Sequence, residues 1–159
     1  PDNEACPDCH AVFSPSEGPT HRYLGASPAC WQVYGEVLAG QPAVTHPLVV
    51  DAYAAQHPGV EGPQSIQSVA IHLMTIKAVK RRGSTIDPVA LRTRAVEIGR
   101  AGLVRYRWLD PRPASWPLTL TDVIAGADAL TWIEGVLGSW REDHAAAIDE
   151  WTDRLFGSP

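Results

Sequence analysis

The residues of this chain best suited to chemistry are its three cysteines, two of which stand close together in Cys6-Pro-Asp-Cys9. Two intervening residues let both sulfurs turn toward one point, and this spacing is typical of a zinc knuckle. A closed structural zinc site needs four ligands, so the third cysteine, Cys30, and one histidine are candidates to complete it. The pattern therefore predicts a zinc site and leaves open what the protein does with it.

The identity of the fourth ligand depends on how the first two helices lie. Ser27 and Thr45 are predicted N-caps, each followed closely by a proline, and they predict one helix within residues 27–40 and a second within 45–57. Because the loop between them is short, we expect the two helices to be antiparallel. Cys30, in the first turn of one helix, then lies beside His57, at the end of the other. The predicted zinc ligands are Cys6, Cys9, Cys30 and His57.

Other arrangements of these residues remain open. His46 begins the second helix, roughly 16 Å from His57 by helical rise, so it should not share the metal. His10 and His21 lie near the knuckle and are alternative fourth ligands. Cys-Pro-x-Cys is also a redox dithiol pattern, but the βαβ unit that normally carries it is not predicted here. In the simplest alternative, Cys30 is a small core residue and the knuckle cysteines are free thiols.

Two further histidines interrupt apolar stripes on predicted helices. His72 lies between Val69 and Ile76 in the third helix, and His144 lies between Trp140 and Ile148 in the last. A buried polar group costs roughly 1–3 kcal/mol unless it is paired, so each must have a partner or a use. The usual explanation is a core histidine that bonds to a nearby carbonyl or hydroxyl group.

A functional alternative is a pocket in which histidines from several helices meet. Such a pocket would bind a small molecule or a second metal, or perform acid–base chemistry. Its candidate residues are His46, His72 and His144, with Asp51, Tyr53, Gln56 or Gln67 as supporting partners.

The remaining helix signals predict an all-α fold. Helices are expected over residues 63–83, from about 87 to 99–102, and over 127–155, with a helical turn from Thr119 and an extended connector over 103–118. Trp132, Trp140 and Trp151 are expected to pack in the core. We predict a single domain over residues 1–159, in which a metal pins an irregular arm (1–26) to a bundle of about five helices (27–159).

The amino-acid composition argues against several classes of protein. The net charge is −5 and 19% of the residues are charged, which indicates a globular protein without the basic surface of a nucleic-acid binder. No apolar run has the length of a membrane span. An odd number of cysteines fits metal-bound thiolates in a reducing cytoplasm better than a disulfide framework. The abundance of Ala, Arg and Val indicates a GC-rich bacterial genome.

Several segments resemble a bacterial family catalogued only as a domain of unknown function, with a pattern like that of zinc-binding proteins. The resemblance covers most of the first half of the chain and implies no activity. Near the C-terminus, Trp140 to His144 is also similar to that family, but Ala145 stands where a second histidine is expected. The segments are Cys6-Pro-x-Cys9, Tyr23-Leu-x-Ala-Ser27-x-x-Cys30-Trp-x-x-Tyr34-Gly-Glu36, His46, Val50-Asp-Ala-Tyr53-x-x-Gln56-His57-Pro-Gly59 and Gln67-Ser-Val-x-x-His72-Leu73.

These patterns favour a small zinc-binding helical protein that binds or transforms a small molecule in a polar, histidine-containing pocket. The main alternative is a non-catalytic, zinc-stabilised interaction module, and a thiol redox protein is a weaker one. Whether the protein is an enzyme, and its oligomeric state, are left open by the sequence.

Overall fold

A computed structural model describes residues 2–83 and 85–156. Within these residues all regular secondary structure is helical except for one small two-stranded sheet, which confirms the all-α prediction. There are six helices where about five were expected, because the turn after Thr119 forms a short helix of its own. The elements are β1 (Glu4–Ala5), β2 (Val12–Phe13), α1 (Pro28–Ala39), α2 (His46–Gln56), α3 (Pro63–Arg82), α4 (Pro88–Arg100), α5 (Leu120–Ile124) and α6 (Ala129–Leu155).

The helix starts show which capping signals act. The Ser27 side chain accepts a hydrogen bond from the Cys30 backbone N–H at 3.2 Å, as expected at an N-cap followed by proline. Thr45 was expected to cap α2 in the same way, but its side chain makes no capping bond. Its hydroxyl instead donates to the Gln41 side-chain oxygen at 3.1 Å. Thr45 lies in helical backbone conformation, in which its side chain does not reach forward to the orphan N–H groups.

The core lies between α2, α3 and α6, which pack against one another. Trp132, Trp140 and Trp151 are buried there, which confirms their predicted role. Two of the indole N–H groups bond to the last turn of α2: Trp140 donates to the Ala55 carbonyl at 2.8 Å, and Trp132 donates to the Gln56 side chain at 3.1 Å. The long helix α6 therefore holds the end of α2, and with it the position of the following residue, His57.

The N-terminal arm contains a small hairpin that the sequence did not predict. Strands β1 and β2 pair antiparallel, with Glu4 opposite Phe13 and Ala5 opposite Val12, and the knuckle forms the turn between them. Two residues per strand are too few for an alternating pattern to be recognised. The connector 103–118 contains no strand. None of the helices within the described part of the chain is long and apolar enough to cross a membrane.

Candidate functional site

The structure brings four side chains together between the arm and the bundle: Cys6, Cys9, Cys30 and His57. Their ligand atoms all lie within 4.8 Å of one another, and all four residues are buried. No other group of three or more His, Cys, Asp or Glu side chains with this geometry occurs among the described residues. Three sulfurs and one imidazole nitrogen form a donor set typical of a structural zinc site.

Two distances within this Cys3His cluster match those of ligands around one tetrahedral ion. The Cys9 and Cys30 sulfurs are 3.9 Å apart, and the Cys30 sulfur is 3.4 Å from His57 Nε2. Zinc with ordinary Zn–S and Zn–N bond lengths places tetrahedral ligands about 3.8 Å apart for two sulfurs and about 3.6 Å apart for sulfur and nitrogen. The two measured distances therefore lie within about 0.2 Å of the values for tetrahedral zinc.

Hydrogen bonds orient His57 and Cys30 for this geometry. His57 Nδ1 lies 2.8 Å from the Tyr53 carbonyl, to which it donates, so Nε2 carries the lone pair that faces the three sulfurs. The Tyr53 hydroxyl donates to the Cys30 sulfur at 3.3 Å. The Tyr53 ring also stacks on the His57 ring, with centroids 4.0 Å apart. Tyr53 thus supports two of the four candidate ligands at once.

The knuckle itself is a tight backbone turn. The Cys6 N–H donates to the Ala11 carbonyl at 2.8 Å, and the His10 N–H donates to the Cys6 carbonyl at 3.0 Å. His10 adopts a left-handed conformation, with φ of 67°, and its side chain is exposed. The turn directs both knuckle sulfurs inward, and of the three histidines considered as fourth ligand it is His57 that lies in the cluster.

Asp8, between the knuckle cysteines, attaches the turn to the bundle. Its carboxylate accepts hydrogen bonds from the Gly59 N–H at 2.7 Å and from Arg112 at 3.0 Å, while its carbonyl accepts one from the Trp116 indole at 3.0 Å. Desolvation raises the pKa of the Asp8 carboxyl above its usual value, even though Gly59 and Arg112 act in the opposite direction. The knuckle is therefore held by two parts of the chain that are distant in sequence, one at Gly59 and the other over residues 112–116.

Two glycines allow this close approach. A Cβ at Gly25 would lie 2.0 Å from an Asp8 carboxylate oxygen. At Gly59, where φ is +72°, a Cβ would lie 2.4 Å from the Tyr23 carbonyl oxygen. The left-handed backbone and the lack of a side chain at Gly59 let the residues after His57 pass directly under the arm.

Without a metal, the ionisation states of the cluster conflict. Hydrogen bonds with Cys30 and Cys9 lower the pKa of the Cys6 thiol, whereas hydrogen bonds with Cys30 and Cys6 raise that of Cys9. Burial lowers the pKa of His57, but its hydrogen bonds to Cys30 and Cys6 outweigh burial and raise the pKa to about 9. Three buried sulfurs cannot all be thiolates side by side unless a cation balances them. A divalent ion would meet that requirement.

A second polar cluster surrounds Asp51, which is fully buried on α2. One carboxylate oxygen accepts a bond from His72 Nδ1 at 2.6 Å and another from Arg92 Nε at 2.8 Å. Arg92 also donates to the Pro47 carbonyl at 2.6 Å. This Asp51–His72–Arg92 cluster joins α2, α3 and α4. Among the described residues, the other carboxylate oxygen of Asp51 is the one fully buried side-chain nitrogen or oxygen atom without a hydrogen-bond partner.

The predicted meeting of His46, His72 and His144 does not occur. His46 is exposed at the start of α2. His144 is buried in α6, where its non-helical backbone (φ −130°, ψ 20°) interrupts the helix and its Nε2 donates to the Pro111 carbonyl at 2.7 Å. His144 is therefore a core histidine that anchors the connector 103–118. The apolar stripes in the sequence predict which face of a helix is buried, but they contain no information about the distances between residues on different helices.

The residues that were expected to support this histidine pocket do not lie together either. Asp51 and Tyr53 support His72 and the Cys3His cluster, respectively. Gln56 is buried and structural, since its amide donates to the Leu118 carbonyl at 2.8 Å and its oxygen accepts from Trp132. Gln67 lies exposed on α3.

Sequence reasoning missed the residues that hold the knuckle in place and that pair with Asp51, above all Asp8, Arg92 and Arg112. Asp8 and Arg112 are 104 positions apart, and no local pattern links them. The glycines did offer a sequence signal for these contacts, because Gly25 lies a few residues before Cys30 and Gly59 lies shortly after His57. Glycine near such a ligand indicates close backbone approach.

Comparison with known proteins places this geometry within a family. Neither the curated proteins nor the solved structures include a significant match to the chain. A family model does match, over residues 4–156, and so includes all four residues of the Cys3His cluster as well as Asp51, His72 and Arg92. The chain therefore belongs to the family of unknown function DUF5946.

Proposed function

We propose that this protein binds one zinc ion through Cys6, Cys9, Cys30 and His57, and that the ion fixes the N-terminal arm to the helical bundle. The observation that carries the proposal is the convergence of four buried ligand atoms within 4.8 Å. Three thiolates favour zinc over magnesium or calcium, which prefer oxygen ligands. The ligand set comes from three separate parts of the chain, so one ion cross-links all of them.

The role of this ion is structural. Four protein ligands complete a tetrahedral shell and leave no open position for water or substrate, in contrast to catalytic zinc sites. The three cysteine residues are 0–3% exposed, which shields them from substrates and oxidants. The same burial argues against thiol redox chemistry, because reactive cysteines are partly accessible to solvent.

Zinc content of ligand variants tests this proposal. Elemental analysis of the purified protein should give about one zinc per chain, and His57→Gln should lose zinc or bind it far more weakly, since one of the four direct ligands is removed. His10→Gln and His21→Gln are matched controls that alter histidines near the knuckle but outside the cluster, and both should keep the full content. Circular dichroism of each variant verifies the helical fold.

Two results would overturn the proposed ligand set. Full zinc content and affinity in His57→Gln would exclude His57 as the fourth ligand. Loss of zinc in His10→Gln, with the helical signal intact, would assign that role to the knuckle histidine.

A further inference from the structure

A cavity of about 270 Å³ lies beside the Cys3His cluster. Its walls include Trp31, Tyr34, Tyr53, Ser68 and His72, so Tyr53 lines the cavity with its ring and supports Cys30 with its hydroxyl. The volume is near the lower end of those of small-molecule pockets and suits a molecule built on a single ring. This cavity is not part of the proposed zinc site.

Aromatic rings make up much of the wall. Trp31 packs against Tyr34 with centroids 5.3 Å apart, and Tyr34 stacks on Tyr53 at 3.9 Å. This stack is continued by His57, which fixes the position of Tyr53. Rings held in this way are rigid, and they offer apolar faces and edges against which another ring packs well.

The Asp51–His72–Arg92 cluster determines which ring nitrogen of His72 is available to a molecule in the cavity. Because Asp51 accepts a hydrogen bond from His72 Nδ1, a neutral His72 carries its proton on Nδ1 and presents Nε2 as an acceptor. Arg92 Nε lies 2.8 Å from the same Asp51 oxygen, so this carboxylate is held in place from a second side. The geometry is that of an oriented hydrogen-bond acceptor on a cavity wall.

Tyr34 supplies a second polar group. Neither its hydroxyl nor His72 Nε2 has a hydrogen-bond partner among the described residues, yet neither is completely buried. Burial raises the pKa of Tyr34 to about 12, so its hydroxyl stays protonated at neutral pH and can donate or accept. The cavity therefore has an acceptor and a hydroxyl with bonding capacity that the protein itself does not use.

The types of residue that line the cavity indicate whether its ligand is charged or neutral. None of the residues that line the cavity is Asp, Glu, Lys or Arg. A charged ligand would lose hydration there without gaining an ion pair, which is costly. A neutral ring avoids this cost, and a hydroxyl on the ring would donate to His72 Nε2.

We infer that this cavity is a binding site for a small neutral hydroxyaromatic molecule, whose ring packs against Trp31 and Tyr34 and whose hydroxyl donates to His72 Nε2. Asp51 and Arg92 act as positioning residues that orient His72. This site is distinct from the proposed zinc site, although Tyr53 contacts both of them.

Phenol, with toluene as the matched ring that lacks a hydroxyl, tests the inference. Both are titrated into the full chain as purified, with its metal content measured in the same sample, and binding is followed by NMR shifts of the Trp31 indole and the His72 ring nitrogens. Phenol should bind at least about tenfold more tightly than toluene, because only phenol satisfies the acceptor. It should also move the His72 Nε2 resonance.

Two variants test whether the preference for phenol comes from the hydrogen bond to His72 or from non-specific binding of apolar rings. In His72→Leu the preference for phenol over toluene should disappear, whereas His46→Leu, which changes an exposed histidine on α2, should retain it. If His72→Leu does not fold, the Nε2 resonance of the unmodified protein decides alone. Equal binding of phenol and toluene, an unmoved Nε2 resonance, or shifts confined to the separate apolar cavity lined by Val79, Ile86 and Leu130 would overturn the inference.

Discussion

Removal of zinc by a strong chelator is expected to lower the melting temperature by about 8–16 °C. A ligand present at a thousand times its dissociation constant stabilises the folded state by about 4 kcal/mol, and each kcal/mol corresponds to about 2–4 °C in a chain of this size. Without the ion, the arm is joined to the bundle mainly by the contacts of Asp8 and Trp116. Differential scanning calorimetry with and without chelator measures the shift.

The control for this experiment is the His57→Gln variant under the same conditions. Because this variant already binds zinc weakly, the chelator should change its melting temperature little. An equal shift in both proteins would show that the chelator acts elsewhere. No shift in the unmodified protein, despite demonstrated loss of zinc, would contradict a structural role for the metal.

Gly59→Ala is expected to lower the free energy of unfolding by about 2–5 kcal/mol. A left-handed conformation costs a residue with a side chain about 1–2 kcal/mol, and overpacking adds about 1–3 kcal/mol. The clash is with backbone, since the new Cβ would lie 2.4 Å from the Tyr23 carbonyl oxygen, so a change of side-chain rotamer cannot relieve it. Urea unfolding of the metal-bound protein gives the difference.

Gly138→Ala is the matched control for that substitution. Gly138 is exposed within α6 and has nothing within 4 Å of its potential Cβ, so alanine should be neutral or stabilise the helix by up to about 1 kcal/mol. Similar unfolding free energies for the two variants would contradict the close approach of the arm to Gly59.

The Cys3His cluster could be predicted because it depends on helix ends. Capping at Ser27, together with the short loop between the first two helices, placed Cys30 beside His57. Both residues lie in the cluster, at the start of α1 and directly after α2. Helix termini are marked by local chemistry, so a single sequence contains the information needed.

The contacts that complete the site could not be predicted in the same way. The bonds of Asp8 to Gly59 and Arg112 span 51 and 104 positions and involve loops without periodicity. His72 and His144 lie on similar stripes, yet one bonds to a buried carboxylate and the other to a backbone carbonyl. That difference arises from packing between elements, which hydrophobic periodicity does not encode.

X-ray absorption at the zinc edge tests the central claim most directly, because it reports the atoms bound to the metal in the purified protein. We expect three sulfur scatterers at about 2.3 Å and one nitrogen at about 2.0–2.1 Å, without a bound water. A shell of oxygen and nitrogen alone, or the absence of zinc from protein prepared in its presence, would contradict it.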